Sequence, residues 1–140
     1  VTLRKYHVDA MAARMITHPQ TLDVIVASNL FGDILTDIGS AISGSLGIAP
    51  GANINPERTF PSMFEPIHGS AFDITGKGVA NPIATFWTAS MMLEHLGEEK
   101  AAARLMKAVE AVCAKKVFTP DLGGNARTRD VTAAVIDALR

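Results

Sequence analysis

Apolar residues recur first at Val8, Met11, Ala12, Met15 and Ile16, the spacing of one helix face, and predict a helix over Tyr6–Thr17. Pro19 cannot continue it, because its ring removes the amide the next turn would use. Asp23-Val24-Ile25-Val26-Ala27 is then a short apolar run bounded by polar residues, the pattern of a strand buried in an α/β sheet. A second helix is predicted over Phe31–Ile42, with Gly44 as its end. Helix, strand and helix in quick succession read as an α/β fold.

Gly44–Asn55 is rich in Gly, Pro and Asn, and reads as loop with one short strand and a crossing between domains. Met63-Phe64-Glu65 is a second short strand candidate, ended by Pro66. His68–Asn81 holds Gly69, Gly76 and Gly78 and no apolar period, so it reads as a long loop, and such loops inside compact domains usually carry function. Asn81-Pro82 has the form of a helix cap followed by a first-turn proline. The helix it opens places Ile83, Phe86, Trp87 and Met91 on one face and closes at Gly97. Ala102, Leu105, Met106, Val109, Val112 and Cys113 mark the next helix, and Val131, Ala134, Val135, Ala138 and Leu139 the last.

Composition narrows the class. With 48% hydrophobic and 19% charged residues, the chain can pack a core. The formal net charge of -1 removes the bulk-electrostatic case for nucleic acid or an anionic membrane surface. No apolar run reaches the ~20 residues of a membrane span, and no leader is visible at the start. The single cysteine, Cys113, falls on a helical apolar face and reads as a buried thiol in a reducing, cytoplasmic setting. Val1 leads directly into polar sequence, so the chain is expected to be part of something longer.

Two segments carry candidate chemistry. Asp33 and Asp37 are four residues apart, which on a helix puts both carboxylates on one face, one turn apart. Such like charges repel by ~0.2–0.5 kcal/mol. The helix N-terminus is expected to relieve Asp33 but not Asp37, and a hard divalent cation would suit both. The same spacing also suits a plain solvated face, and Asp9, at the edge of the first helix, has the same two readings. Downstream, Glu65-Pro66-Ile67-His68-Gly69-Ser70-Ala71-Phe72-Asp73 leads through Gly76-Lys77-Gly78 to Asn81-Pro82. Small residues there let backbone N–H groups approach an anion, and Asp73 could accept both ribose hydroxyls of NAD while repelling the 2′-phosphate of NADP. An ordered loop with His68 and Asp73 in turn hydrogen bonds explains the residues equally well, and the stretch is not a Rossmann G-x-G-x-x-G fingerprint.

Together these segments resemble the β-decarboxylating dehydrogenases, the isopropylmalate/isocitrate dehydrogenase family. Asn29–Asp37 resembles its metal-binding signature, and Glu65–Ser70 with Gly76–Pro82 its adenosine-binding loop, in the expected order and separation. The resemblance implies a carboxy-terminal portion of that α/β fold, with 1–43 in the dimer-forming, metal-binding domain and 44–140 in the NAD-binding domain. It implies Mg²⁺ or Mn²⁺ held by Asp33 and Asp37 of one subunit and Asp9 of its homodimer partner, beside a 2-hydroxy acid substrate. It further implies NAD along Gly69, Ser70 and Ala71, with His68 packed by the adenine, Asp73 on the ribose and Asn81 on the adenine. NADP-linked relatives carry Lys-Tyr where this chain has Asp73-Ile74. Phe72 departs from the family, most of whose members have proline there.

Pro56–Glu65 and Ala84–Trp87 are most similar to the family members acting on tartrate or D-malate, with 3-isopropylmalate as the alternative substrate. The family's substrate-clamping arginines, lysine base and tyrosine acid fall before Val1; Lys5 and Tyr6 do not match them. The resemblance therefore implies NAD-linked oxidation and decarboxylation for the longer protein and no turnover by these residues alone. A fragment with binding capability only, or a non-catalytic regulatory homologue, is the alternative class.

Overall fold

The computed structural model describes all 140 residues, which fall into two compact units, Val1–Gly44 and Ser45–Arg140. In the first unit, α1 (Val8–Thr17) is followed by a 3₁₀ turn at Pro19–Thr21 and then by α2 (Asn29–Ser43). The two helices pack on each other. Gly39 permits the approach, since a Cβ there would lie 3.3 Å from Met15 Cε. Gly44, with φ of 123°, ends α2 as expected.

The predicted strand at Asp23–Ala27 is not formed. This segment has no strand partner, and Val24 and Val26 are 86% and 93% exposed. A strand exists only by pairing its N–H and C=O groups with a neighbour, and the chain's one sheet is made by other residues. The apolar run therefore signalled burial without supplying what it pairs with.

In the second unit, β1 (Pro50–Asn53) pairs antiparallel with β2 (Met63–Pro66), with Gly51 opposite Glu65 and Ala52 opposite Phe64. The segment between them is tied to the next helix. The Arg58 guanidinium donates to the carbonyl of His95, and Ser62 Oγ lies 3.2 Å from His95 Nε2. A cation at a helix's last carbonyls is well placed against its dipole.

α3 (Ile83–His95) packs on both strands and on α4 (Glu99–Ala114), which packs on α5 (Thr128–Ala138). The core is Ile83, Ala108, Val109, Val112, Val131 and Val135, with Phe86, Leu105 and Leu139 against it. The face expected of α3 needs correction. Ile83 is buried, but Trp87 is 39% exposed, and Ala84, Thr88 and Ser90 are the helix's other buried residues. Small side chains let α4 come close: Ser90 Oγ donates to the carbonyl of Ala102 on α4 at 3.0 Å. Cys113 is half-buried at the core's margin, where desolvation, then the negative charge of Glu110, raises its pKa. No helix is long and apolar enough to cross a membrane.

Candidate metal and cofactor sites

α2 begins at Asn29, two residues before the expected start, and Ser28 precedes it without a side-chain cap. Asp33 therefore lies beyond the first turn, which contains no acidic residue. The expected relief from the helix dipole is lost, because that effect fades within one turn. Asp33 and Asp37 are both exposed. The chain's two ion pairs, Arg129–Asp130 and Arg140–Asp137, involve neither of them. The pair is an exposed set of hard oxygen donors with no cation beside it.

Asp9 occupies the first turn of α1, where its Oδ1 accepts a hydrogen bond from the Ala10 amide at 2.8 Å. No three His, Cys, Asp or Glu side chains converge tightly enough in this chain to hold a metal ion. Within one copy, Asp9 is thus not gathered with Asp33 and Asp37. The chemistry of the α2 pair fits a hard divalent cation, and two carboxylates leave most of an octahedral shell to other oxygens.

The loop after β2 starts with the Ile67 amide on the carbonyl of Ala49. His68 is half-buried, and its Nδ1 lies 3.2 Å from the carbonyl of Gly69. A carbonyl oxygen only accepts, so Nδ1 is the donor in that contact. Gly69 and Ser70 are exposed. Ala71 is left-handed, with φ of 43° and ψ of 58°, an uncommon conformation for a residue with a Cβ. It opens a 3₁₀ turn at Phe72–Ile74 with Asp73 at its centre, exposed and in neither ion pair. Gly76 and Gly78 take positive φ of 76° and 65°, which explains glycine at both positions. Phe72 is 86% exposed, so its departure from proline disturbs no packing.

The far end of the loop is fixed. Asn81 is 8% exposed, and its Oδ1 accepts from the Ile83 amide at 3.0 Å. This is the expected capping bond, although Pro82 (φ −88°, ψ −2°) holds the cap position and the helix proper begins at Ile83. Asn81 Nδ2 donates to Asp121 Oδ2 at 2.9 Å. Ser45 Oγ donates to the same oxygen at 2.5 Å, and Thr119 Oγ1 donates to Asp121 Oδ1, also at 2.5 Å. Burial raises the pKa of Asp121, but these bonds from Ser45, Thr119 and Asn81 outweigh it and hold the carboxyl below its ordinary value.

Gly47 closes over this cluster, since a Cβ there would meet Asn81 Cβ at 2.7 Å and Asp121 Oδ2 at 2.8 Å. Asp121, Ser45 and Thr119 lie on no apolar period or charge pair of the sequence. The available signal was Thr119-Pro120-Asp121-Leu122-Gly123-Gly124, a Pro-Asp and Gly-Gly pattern that demands a specific turn.

Helices on a small sheet, with a long glycine-bearing loop between strand and helix, are consistent with a portion of an α/β fold. The family model for isocitrate/isopropylmalate dehydrogenase matches residues 1–139, and the chain belongs to that family. It is 68% identical over 139 residues to a probable tartrate dehydrogenase/decarboxylase of Agrobacterium vitis, covering 99% of this chain and 38% of that protein. It is 54% identical over 136 residues to the decarboxylating D-malate dehydrogenase of Escherichia coli, covering 94% of this chain and 38% of that protein. Among solved structures, isocitrate dehydrogenase from Methylococcus capsulatus superposes with a TM-score of 0.88 at 43% identity, over 95% of this chain and 39% of that one. The chain thus spans just under two fifths of the length of these relatives.

Proposed function

We propose that this chain supplies the metal-ligating carboxylates and the NAD loop of a metal-dependent oxidoreductase acting on a 2-hydroxy dicarboxylic acid, tartrate or D-malate. The observation that carries the proposal is the exposed Asp33/Asp37 pair on α2, one turn apart and without a cation partner. In a family member, such a pair is better read as a ligand set than as a decorated surface.

Bound there, Mg²⁺ or Mn²⁺ would polarise the substrate's 2-hydroxyl and adjoining carboxylate while NAD⁺ takes the hydride. Asp33 and Asp37 supply two oxygens from one copy. Asp9, which does not join them within a copy, completes the set from a homodimer partner. Residues 1–43 then belong to the dimer-forming, metal-binding domain and 44–140 to the NAD-binding domain.

On the loop, Gly69, Ser70 and Ala71 present backbone to the cofactor, and Asp73 accepts the ribose hydroxyls. His68 lies beside the adenine. Asn81, its side chain held on Ile83 and Asp121, bonds the adenine. No residue of this chain is assigned the role of general base. The names of the relatives in Agrobacterium vitis and Escherichia coli favour tartrate and D-malate as substrates.

The test is turnover by the full-length protein of D-malate, tartrate and 3-isopropylmalate with NAD⁺ and Mn²⁺. NADH is expected from D-malate or tartrate, with 3-isopropylmalate slowest, and is abolished by a chelator. No NADH from any of the three would sink the reading.

A further inference from the structure

The segment Gly78–Asn81 is held from two directions. From α5, the Thr128 amide donates to the carbonyl of Gly78 at 3.0 Å and Thr128 Oγ1 to that of Ala80 at 2.5 Å. From the turn after α4, Asp121 takes the Asn81 side-chain Nδ2 and the Ser45 hydroxyl on one oxygen and the Thr119 hydroxyl on the other.

That turn is itself tightly set. The Gly124 amide donates to the carbonyl of Thr119 at 3.1 Å and the Ala126 amide to that of Phe118 at 2.9 Å. A Cβ on Gly124 would fall 1.9 Å from the Phe118 carbonyl oxygen, so only glycine fits. Ser45 and Thr119 are 8% and 0% exposed, so their hydroxyls have little access to other partners. The arrangement is asymmetric: one carboxylate gathers donors from segments far apart in the chain, and Asn81 is its link to the loop.

We infer that Asp121 is a positioning residue for cofactor binding, acting through Asn81 to fix the backbone at the end of the NAD loop. The inference rests on the cofactor reading of that loop. It predicts a defect in NAD⁺ affinity out of proportion to any effect on the reaction itself. Removing the acceptor leaves Asn81 free to rotate, and its capping bond to Ile83 is then no longer locked. Asparagine at 121 keeps the volume but presents an N–H₂ to at least one existing donor, so its defect is the same in kind and smaller.

The experiment uses the full-length protein and three variants: Asp121→Ala, Asp121→Asn and Ser45→Ala. Thermal melts identify the folded variants, calorimetry gives the Kd for NAD⁺, and steady-state kinetics separates KM for NAD⁺ from kcat and from KM for the 2-hydroxy acid. Asp121→Ala should raise Kd and KM for NAD⁺ about tenfold, and Asp121→Asn and Ser45→Ala about threefold, the scale of one lost or weakened charge-assisted bond. In all three, kcat and the acid's KM should stay within about twofold. If Asp121→Ala does not fold, the other two decide. Unchanged NAD⁺ affinity in the folded variants overturns the inference, as does an equal loss in every kinetic parameter, the mark of general damage. Failure of the unmodified protein to bind NAD⁺ would instead remove the cofactor reading, and the inference with it.

Discussion

The two units treat their aspartates in opposite ways. On α2, Asp33 and Asp37 repeat a negative charge one turn apart with no cation beside either. In the second unit, Asp121 is enclosed by three donors from three separate segments, Ser45, Asn81 and Thr119. A carboxylate whose lone pairs are filled contributes to the fold, whereas one left open on a rigid helix is available to a ligand. The first kind should register in stability when removed, reaching the cofactor only through the loop end it holds, and the second in catalysis itself.

The sharpest way to break this contrast is Asp33→Asn in the full-length protein. Activity and its dependence on Mn²⁺ should fall by orders of magnitude, as expected when a metal loses an anionic ligand. Stability should hold or rise by up to ~0.5 kcal/mol, because one like-charge contact is relieved. Kinetics indistinguishable from the parent would show the pair to be a solvated face. The opposing case is Asp121→Ala, which leaves the Ser45, Asn81 and Thr119 donors in a largely closed cluster without their acceptor. At ~1–3 kcal/mol per stranded group, partly relieved by water, the cost should be about 3 kcal/mol in urea unfolding. A loss under about 0.5 kcal/mol would mean the cluster does not support the fold.

The same contrast explains what the sequence could and could not tell. The Asp33/Asp37 pair was legible because a helix turns a four-residue spacing directly into proximity. The helices were legible for a related reason, with α1, α2, α4 and α5 close to their predicted spans. Asp121 was not legible as a site, because its partners Ser45 and Asn81 are 76 and 40 positions away. The strand expected at Asp23–Ala27 failed likewise: an apolar run announces burial, but pairing depends on a neighbour that local pattern does not name. On α3, Trp87 suggested a large-residue face where Ala84, Thr88 and Ser90 are buried instead. Close helix packing, as at Ser90 and Ala102, selects for small residues that periodicity overlooks.

Asp73 extends the comparison into the second unit, as an exposed acid at the middle of a 3₁₀ turn. Like Asp33, it should matter for ligand and little for fold. Asp73→Lys should shift the NAD⁺/NADP⁺ preference, measured as the ratio of kcat/KM values, by at least about tenfold toward NADP⁺, because a cation attracts the 2′-phosphate that a carboxylate repels. Melting should be nearly unchanged. A constant cofactor ratio would remove Asp73 from the ribose.

The smallest effect concerns pH and separates charge from shape at Asp121. The donors from Ser45, Thr119 and Asn81 hold its folded-state pKa below the ordinary 3.8 against the opposing effect of burial. A carboxyl with a depressed folded pKa contributes stability that is fully present above its unfolded value and lost as pH falls through the folded one. The stability gap between the parent and Asp121→Asn should therefore be constant from about pH 7 to about pH 5 and narrow below about pH 4, where the unfolded chain takes up a proton that the folded chain still refuses. Unfolding both proteins in urea from pH 6 to pH 3 measures the gap. Asparagine cannot titrate, so narrowing confined to the acid side assigns the difference to the charge and its donors. A gap that stays constant to pH 3 would mean that the side chain's shape, and not its ionisation, holds the loop end in place.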